Sequence, residues 1–575
     1  VSLLRALRNL VLLPFYPLWW VLRLARRPKA AWVHARISPR IVELVRPEPW
    51  FKRYVPRLPL IGGDVVRPTS LEHMRKLVEE LTAAPEVRGL VLELPPLMAG
   101  WVACHTLRDL VVELKKAGKE VVVYLPSGGG NRELFIASAA TRILVAPTAP
   151  LAPLGLAASR RHLKGLLERF GVEVEVYRRA DYKTAAEGVS SFTMSEPQRE
   201  QVTALLTTYE RALIDALLER PGFDEAKVRA LFDRGLLSGE SAVESGLVDG
   251  LAYEDELAEK VTGSADGELI RAPKWLGFKL RRFFLPVRRR PYVAVVPVHG
   301  AITDGGSGPG AGKDAVVSAL RQVAADPRAL GVILHVDSPG GSALASDIIH
   351  REVMKLKEKK PVVACFGEVA ASGGYYVSAG ADAIVADPLT ITGSIGVISA
   401  RLVASGLLDR IGVRTEVIRL APHADLMLNP RAATPDEGAM IEREIDAFYQ
   451  AFVSVVAKGR GRGVDEVEPL ARGRVWSGRD AATHALVDRM GGLVAALDEV
   501  KTRLGRRSEV LPLGVAWPAL LDLPAQKRDA RRALLEALDL PGLGLGALSE
   551  DVETLLELAG SRERALAWAD VPRIE

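Results

Sequence analysis

A chain of 575 residues is too long for one ordinary core and points to about three to four domains. Its 48% hydrophobic and 26% charged residues exclude a disordered protein, and a net charge of +5 over this length excludes a dedicated nucleic-acid binder, in which one basic face dominates. The two cysteines, Cys104 and Cys365, lie in apolar runs without CxxC or Cys/His spacing, so they read as buried thiols and not as a metal site; a single disulfide stays open if the domains face an oxidising compartment.

The first 28 residues read as a membrane anchor. Asn9 to Leu22 (NLVLLPFYPLWWVL) is uncharged, with Arg5 and Arg8 before it and Arg23, Arg26 and Arg27 after it. Fourteen helical residues rise about 21 Å, short of a hydrocarbon core of about 30 Å, although flanking arginines can snorkel. Pro14 and Pro17 interrupt a regular helix, and Tyr16, Trp19 and Trp20 suit the membrane–water interface. The anchor therefore either spans or lies in the plane, and no A-x-A-like site follows to mark a cleaved signal peptide.

Residues 55–262 form a first repeat. VRGLVLELPPL, from Val87, reads as a buried strand entering a turn, LRDLVVELKKAGKE has helical spacing, and VVVYL is a second buried strand. Strands alternating with helices predict an α/β layer architecture. Residues 263–290 break this pattern with KWLGFKLRRFFLPVRRR, a basic and aromatic linker suited to anionic lipid or to packing on a domain. A second repeat spans 291–505. Residues 506–575 form an extension with amphipathic helical patches, ARRALLEAL and SEDVETLLELAG, whose role is open between oligomer and membrane contact.

The two repeats are copies. VVVYLPSGGGNRELFIASAATRILVAP, from Val121, answers VVACFGEVAASGGYYVSAGADAIVADP, from Val362, an offset of 241 residues. LKGLLERFGVEVEV answers ASGLLDRIGVRTEV, and RGLLSGESAVESGLVDG answers GRVWSGRDAATHALVDR. In this register Ser372 faces Asn131, and Lys183 faces Ala424. One copy keeps a serine and lacks the lysine, and the other the reverse, which predicts one active site assembled from both copies.

Ser372 lies in AASGGYYVSAG, where small residues permit a sharp turn and the apolar run after it predicts a buried helix. A helix starting there leaves backbone N–H groups, that of Gly373 first, beside the hydroxyl and available to an oxyanion. DSPGGS follows the strand VILHV, and its Gly340 and Gly341 offer donors from a second loop. Three groups compete as the base. His335 lies within the strand and reads as a core residue, His423 stands beside Ala424, and Lys183 is singled out by the repeat register. Taken alone Lys183 reads as a surface lysine; to accept a proton it must be buried in apolar surroundings that disfavour its charge. Ser394, in LTITGSIGVIS, is placed to orient it.

Together HVDSPGGS, AASGGYY, TITGSIGVI and DYKTAAE resemble the signal peptide peptidase A family in its long, duplicated form, over about residues 55–505 and the anchor. The resemblance implies two tandem crotonase-like (Clp-protease-like) α/β domains with an N-terminal membrane anchor, and a serine–lysine dyad without metal or organic cofactor. Carried over, Ser372 is the nucleophile, Lys183 the general base, Ser394 the serine that orients the lysine, and Gly341 and Gly373 the oxyanion donors. It also implies a homotetrameric bowl on the bacterial inner membrane, its catalytic domains on the outer, periplasmic face, digesting signal peptides left after preprotein cleavage. The first copy departs from the pattern, with ELPPLMAGW in place of HVDSPGGSA and Asn131 in place of serine, so it is not expected to be a second full active site. Six Lys/Arg between Arg23 and Arg40 favour the opposite topology by the positive-inside rule, and the family expectation is preferred. The competing functions are a crotonase-like acyl-CoA enzyme and an inactive membrane scaffold.

Overall fold

The structure, a computed structural model, describes residues 2–25, 31–45, 68–281, 283–284, 290–305, 310–427, 431–515 and 566–568. Both amphipathic patches of the C-terminal extension lie outside the described residues. The chain divides into two compact units, Val1–Ala157 with Thr207–Arg290, and Ala158–Leu206 with Pro291–Glu575. This division differs from the repeat boundary, because the segment Ala158–Leu206, which carries Lys183, groups with the copy that carries Ser372.

The first unit is built on a parallel sheet in the order Gly250–Leu251, Arg142–Val145, Glu120–Leu125, Gly89–Glu93, Trp32–Arg36, Leu269–Arg271. Leu90, Val91, Leu92 and Val121 to Leu125 are buried without alternation, as a parallel sheet covered on both faces requires. The helix Leu71–Thr82 turns Leu71, Met74, Leu77, Val78 and Leu81 inward, and it starts at Ser70, whose side chain accepts a hydrogen bond from the His73 amide. Within the basic segment 263–290, Leu269–Arg271 is the edge strand and Ala272–Leu280 a helix that buries Trp275.

The second unit repeats these elements. Its main sheet runs Val475–Ser477, Ile391–Gly393, Val362–Ala371, Ala329–Ser338, Tyr292–His299, Leu513–Val515, with Ala383–Ala386 and Arg489–Met490 branching from Val362–Ala371. Helices Lys313–Ala325, Ala343–Lys357 and Gly373–Ser378 answer Leu71–Thr82, Trp101–Lys116 and Asn131–Ala137. A bulge after Val336 shifts the pairing of Ala329–Ser338 with Val362–Ala371, just before both strands deliver their glycine loops. A second sheet of short strands lies in this unit, in the order Ala311–Gly312, Ile302–Thr303, Gly340–Ser342, Leu566–Trp568, Ile398–Val403, Glu173–Arg178. Its last pairing joins a strand of the first repeat to one of the second, antiparallel, from Ile398↔Arg178 to Val403↔Glu173.

The N-terminal segment forms two helices, Ser2–Leu12 and Tyr16–Ala25, separated by a 3-10 turn at Leu13–Phe15. Pro14 and Pro17 lack the N–H that a continuous helix would need there. No helix among the described residues is long and apolar enough to cross a membrane, so a spanning helical anchor is not found. Instead the guanidinium of Arg23 donates to the Phe278 and Arg281 carbonyls at the end of the helix Ala272–Leu280 and packs on Trp19 and Phe278. Tyr16, Trp19, Phe283 and Phe284 form one aromatic cluster, with ring centroids 5.0–5.8 Å apart.

The helix Pro435–Arg460, capped by Thr434, passes close to the end of the short helix that begins at Ser372. A Cβ on Gly459 would lie 2.0 Å from the Ala379 carbonyl oxygen. Gly to Ala inside a helix ordinarily stabilises by about 0.5–1 kcal/mol. Here Gly459→Ala is expected to lower the thermal unfolding midpoint, read by circular dichroism, and an increase would refute this packing.

Candidate active site

Ser372 ends the strand Val362–Ala371 and is the N-cap of the helix Gly373–Ser378. Its backbone is held at φ +53°, ψ −118°, an unfavourable conformation for a residue with a side chain, and its amide donates to the Gly393 carbonyl at 2.8 Å. The hydroxyl makes no capping bond to its own helix. The residue after it must be glycine, since a Cβ on Gly373 would lie 2.5 Å from Ser346 Oγ and 3.2 Å from the Gly340 Cα. The same position would be 3.3 Å from the Gly341 amide nitrogen, so the two glycine loops expected from the sequence meet beside Ser372.

Lys183 reaches this turn from the loop after the strand Glu173–Arg178. Its Nζ is 2.7 Å from Ser372 Oγ and 3.0 Å from both the carbonyl oxygen and Oγ of Ser394. The side chain is only 1% exposed, Ser372 is fully buried and Ser394 is 2% exposed. Burial alone holds the Lys183 amine well below the ordinary lysine range, because water can no longer stabilise the ammonium. A neutral amine at this distance has a lone pair to accept the Ser372 proton, while the two Ser394 oxygens accept from its N–H groups.

Several residues that the sequence did not single out fix the lysine. A Cβ on Gly473, at φ +78°, would lie 2.6 Å from the Lys183 Cβ and backbone nitrogen, so only glycine lets the two segments touch. The buried Gln201 carboxamide bridges them: its Nε2 donates to Thr184 Oγ1 at 2.9 Å, and its Oε1 accepts from the Val475 amide at 3.2 Å. The Tyr182 amide donates to the Arg472 carbonyl, and the Ser394 amide to the Arg474 carbonyl. A glutamine at the end of the polar run EPQREQ, or one glycine in ARGRV, gives no periodic signal that could have revealed this.

The other candidates lie elsewhere. His335 is buried in the strand Ala329–Ser338, with its ring nitrogen 2.7 Å from that of His299. His423 is 3.3 Å from Glu437, and Ala424 beside it is exposed. In the first copy Asn131 donates to the Gly155 carbonyl. There Glu133, at the position of Gly374, sends its carboxylate between the two loops and accepts from the Leu97 and Gly130 amides at 2.6 and 2.7 Å. One amide of each loop in that copy is thus held by its own carboxylate. Cys104 and Cys365 are buried, and no disulfide joins them.

A cavity of about 200 Å³ opens beside Lys183, lined by Val176, Ala186 and Ile398 and by the ion pair Arg178–Glu187. Among the described residues no group of three or more His, Cys, Asp or Glu side chains is placed to hold a metal ion.

The model of peptidase family S49 matches residues 113–266 and 354–506, together more than half of the chain and once in each repeat. The chain belongs to peptidase family S49. It is similar to Protease 4 of Salmonella typhi, at 30% identity over 75% of this chain and 71% of that protein, and to Protease 4 of Haemophilus influenzae, at 29% over 84% and 82%. The chloroplastic serine protease SPPA of Arabidopsis thaliana is 33% identical over 73% of this chain, and the match spans 63% of the plant protein's length. With this family and these relatives, the chain is a serine peptidase.

The Lys183 amine carries a sign that experiment can read. In the unfolded chain it titrates in the ordinary range, and in the folded protein well below it. Between these two values the unfolded chain holds a proton that the folded chain does not, so stability rises with pH across that window and falls as acid is added. Lys183→Met is expected to raise the unfolding midpoint at neutral pH, by about 2–4 °C per kcal/mol recovered, and to flatten that pH slope. In the native enzyme log kcat/KM should rise with unit slope through the lowered lysine pKa. Thermal melts and rate profiles across pH check both, and an unchanged slope in Lys183→Met would refute the assignment.

Proposed function

We propose that this protein is a membrane-associated serine endopeptidase in which Ser372 is the nucleophile and Lys183 the general base. The observation that carries the proposal is the 2.7 Å contact between a buried amine and a buried serine hydroxyl. An extended peptide takes the place of Leu566–Trp568 between Gly340–Ser342 and Ile398–Val403 in the small sheet. Ser372 Oγ attacks the scissile carbonyl as its proton passes to Lys183 Nζ. The amides of Gly341 and Gly373 take the oxyanion, and Ser394 keeps the amine aimed at Ser372. The ammonium then gives its proton to the leaving amine, and water releases the acyl group by the reverse path.

The substrates, on this reading, are signal peptides left after preprotein cleavage at the bacterial inner membrane, with catalysis on its outer face. The resemblance of the site motifs and the similarity to Protease 4 support it. The N-terminal helices supply the membrane contact in the plane rather than across it. Leu10, Val11, Leu13, Phe15, Leu18 and Trp20 are each more than half exposed, and Arg5, Arg8 and Arg23 suit anionic headgroups.

A second copy of the chain is the expected protein partner. The counterpart of Glu173–Arg178 in the second repeat, residues 414–419, forms no strand, and Ile418 and Leu420 near it are fully exposed. Pairing of that edge with a neighbouring copy repeats the Glu173–Arg178 pairing head to tail and suits a closed ring, four-membered by the family resemblance.

Ser372→Ala and Lys183→Ala are each expected to lower hydrolysis of an apolar, signal-like peptide by at least about a thousandfold, with cooperative unfolding retained. A serine-reactive probe should label Ser372 in the native chain and not in Lys183→Ala; full activity in either variant would sink the assignment. In a separate measurement, the native chain should co-sediment with phosphatidylglycerol vesicles, less so with phosphatidylcholine alone. A double Trp19→Ser, Trp20→Ser variant should lose most of that binding, and undiminished binding would remove the in-plane helices from the reading.

A further inference from the structure

One side chain ties the lysine to the serine that aims it. Gln201, on the helix Glu196–Leu218, is only 5% exposed. Its Nε2 donates to the Thr184 hydroxyl at 2.9 Å and to the Tyr182 carbonyl at 3.4 Å, so it grips the residues on both sides of Lys183. Its Oε1 accepts from the Val475 amide at 3.2 Å. The residue before Val475 closes the circuit. The Arg474 carbonyl accepts from the Ser394 amide at 2.7 Å, and Ser394 meets the Lys183 amine through two oxygens. Ser394 stands at φ +48°, a conformation that a side chain disfavours, so its aim depends on being held from outside.

We propose that Gln201 is a positioning residue of the peptidase, holding the Lys183 amine in place between Ser372 and Ser394. This role rests on the serine–lysine reading above. Gly473 and Gly396 bring backbone against the lysine, but apolar packing has no direction and leaves the segment free to slide. A carboxamide fixes the register, because it donates to one segment and accepts from the other. Charge explains why an amide stands here and not an acid. A carboxylate would stabilise the ammonium. The charged groups packed about the lysine segment are paired with one another: Arg178 with Glu187, Arg472 with Asp181, Arg474 with Glu200. Gln201 joins the segments without adding a further field.

Position matters because the amine must stay within hydrogen-bond reach of the serine proton, as it is at 2.7 Å. Without the carboxamide, the Val475 amide and the Thr184 hydroxyl lose a buried partner and the two segments come apart. A displacement of about 1 Å at a reacting group costs about a hundredfold in rate. Water that follows into the space stabilises the ammonium, so the lysine loses its aim and regains its proton together. Gln201 does not line the cavity beside Lys183, so its loss falls on the chemical step and not on substrate binding.

The test is steady-state hydrolysis of an apolar, signal-like peptide across pH by the full chain, native and as Gln201→Met, Gln201→Glu and Lys183→Ala. Gln201→Met keeps the length and removes the hydrogen bonds. Its kcat is expected to fall about a hundredfold with KM within about twofold, and the acidic limb of log kcat/KM to move to higher pH. Gln201→Glu keeps an acceptor for Val475 and adds a charge, so its limb is expected to move further and its activity to return as the pH is raised. A glutamine that only supports the fold would lower the thermal midpoint and leave kcat, KM and the limb of the folded enzyme as in the native chain. That result, with Lys183→Ala inactive, overturns the positioning role and leaves the dyad standing. If Gln201→Met does not fold, Thr184→Val, which removes one acceptor and keeps the shape, carries the same expectation and the same refutation. Full activity in Lys183→Ala removes the dyad and this inference with it.

Discussion

The arrangement depends on keeping one amine uncharged without a counter-ion. Taking an ammonium out of water is costly, and the group yields by giving up its proton. At Lys183 that cost is imposed by burial alone, and no carboxylate contributes to the shift. A nearby acid would stabilise the ammonium and undo that shift; the polar partners of Nζ are neutral oxygens, those of Ser372 and Ser394. Burial of this kind demands close packing along the stem. Gly473 and Gly396 meet this demand by letting backbone press against Lys183 where a side chain would hold it away.

The duplicated fold shows how one scaffold is spent in two ways. Both copies end their strands in two loops that converge at the start of a short helix. In the second copy, glycines leave the loops bare beside a strained serine. In the first, Glu133 occupies the equivalent of Gly374 and ties the loops together with its carboxylate. That carboxylate holds the Leu97 and Gly130 amides, one from each loop. The first copy thereby gains a satisfied, static junction. Its segment Ala158–Leu206 groups with the second copy and brings Lys183 to Ser372.

The strands and the duplication were legible in the sequence because continuous apolar runs such as VVVYL and VILHV have no other use than a doubly covered sheet. In the register of the two copies, a serine kept in one and a lysine kept in the other pointed to Ser372 and Lys183, two residues 189 apart that the structure brings together. The grouping of Ala158–Leu206 was not legible, since a segment exchanged between two similar domains keeps the same local pattern in either place. Gln201 and Gly473 were invisible for a different reason: each acts through one long-range contact, which leaves no periodicity. The N-terminal segment misled in part. Its hydropathy suggested a possible span, but Pro14 and Pro17 divide it into helices of 11 and 10 residues.

On the proposed reading, the place that Leu566–Trp568 takes in the small sheet has a consequence for specificity. A peptide held by backbone pairing to Gly340–Ser342 is recognised through groups that every residue except proline carries. Such binding tolerates many sequences and cannot discriminate among them. Selection therefore falls on what the side chains meet, and beside Lys183 that is a cavity of about 200 Å³ with both characters. Val176, Ala186 and Ile398 give it an apolar wall, while Arg178 and Glu187 neutralise one another across its rim. A lone charge there would reach the lysine and shift its titration; a closed ion pair gives the pocket polarity with little net field on the amine. On the proposed reading, substrate choice falls to side chains that also border the buried Lys183 amine.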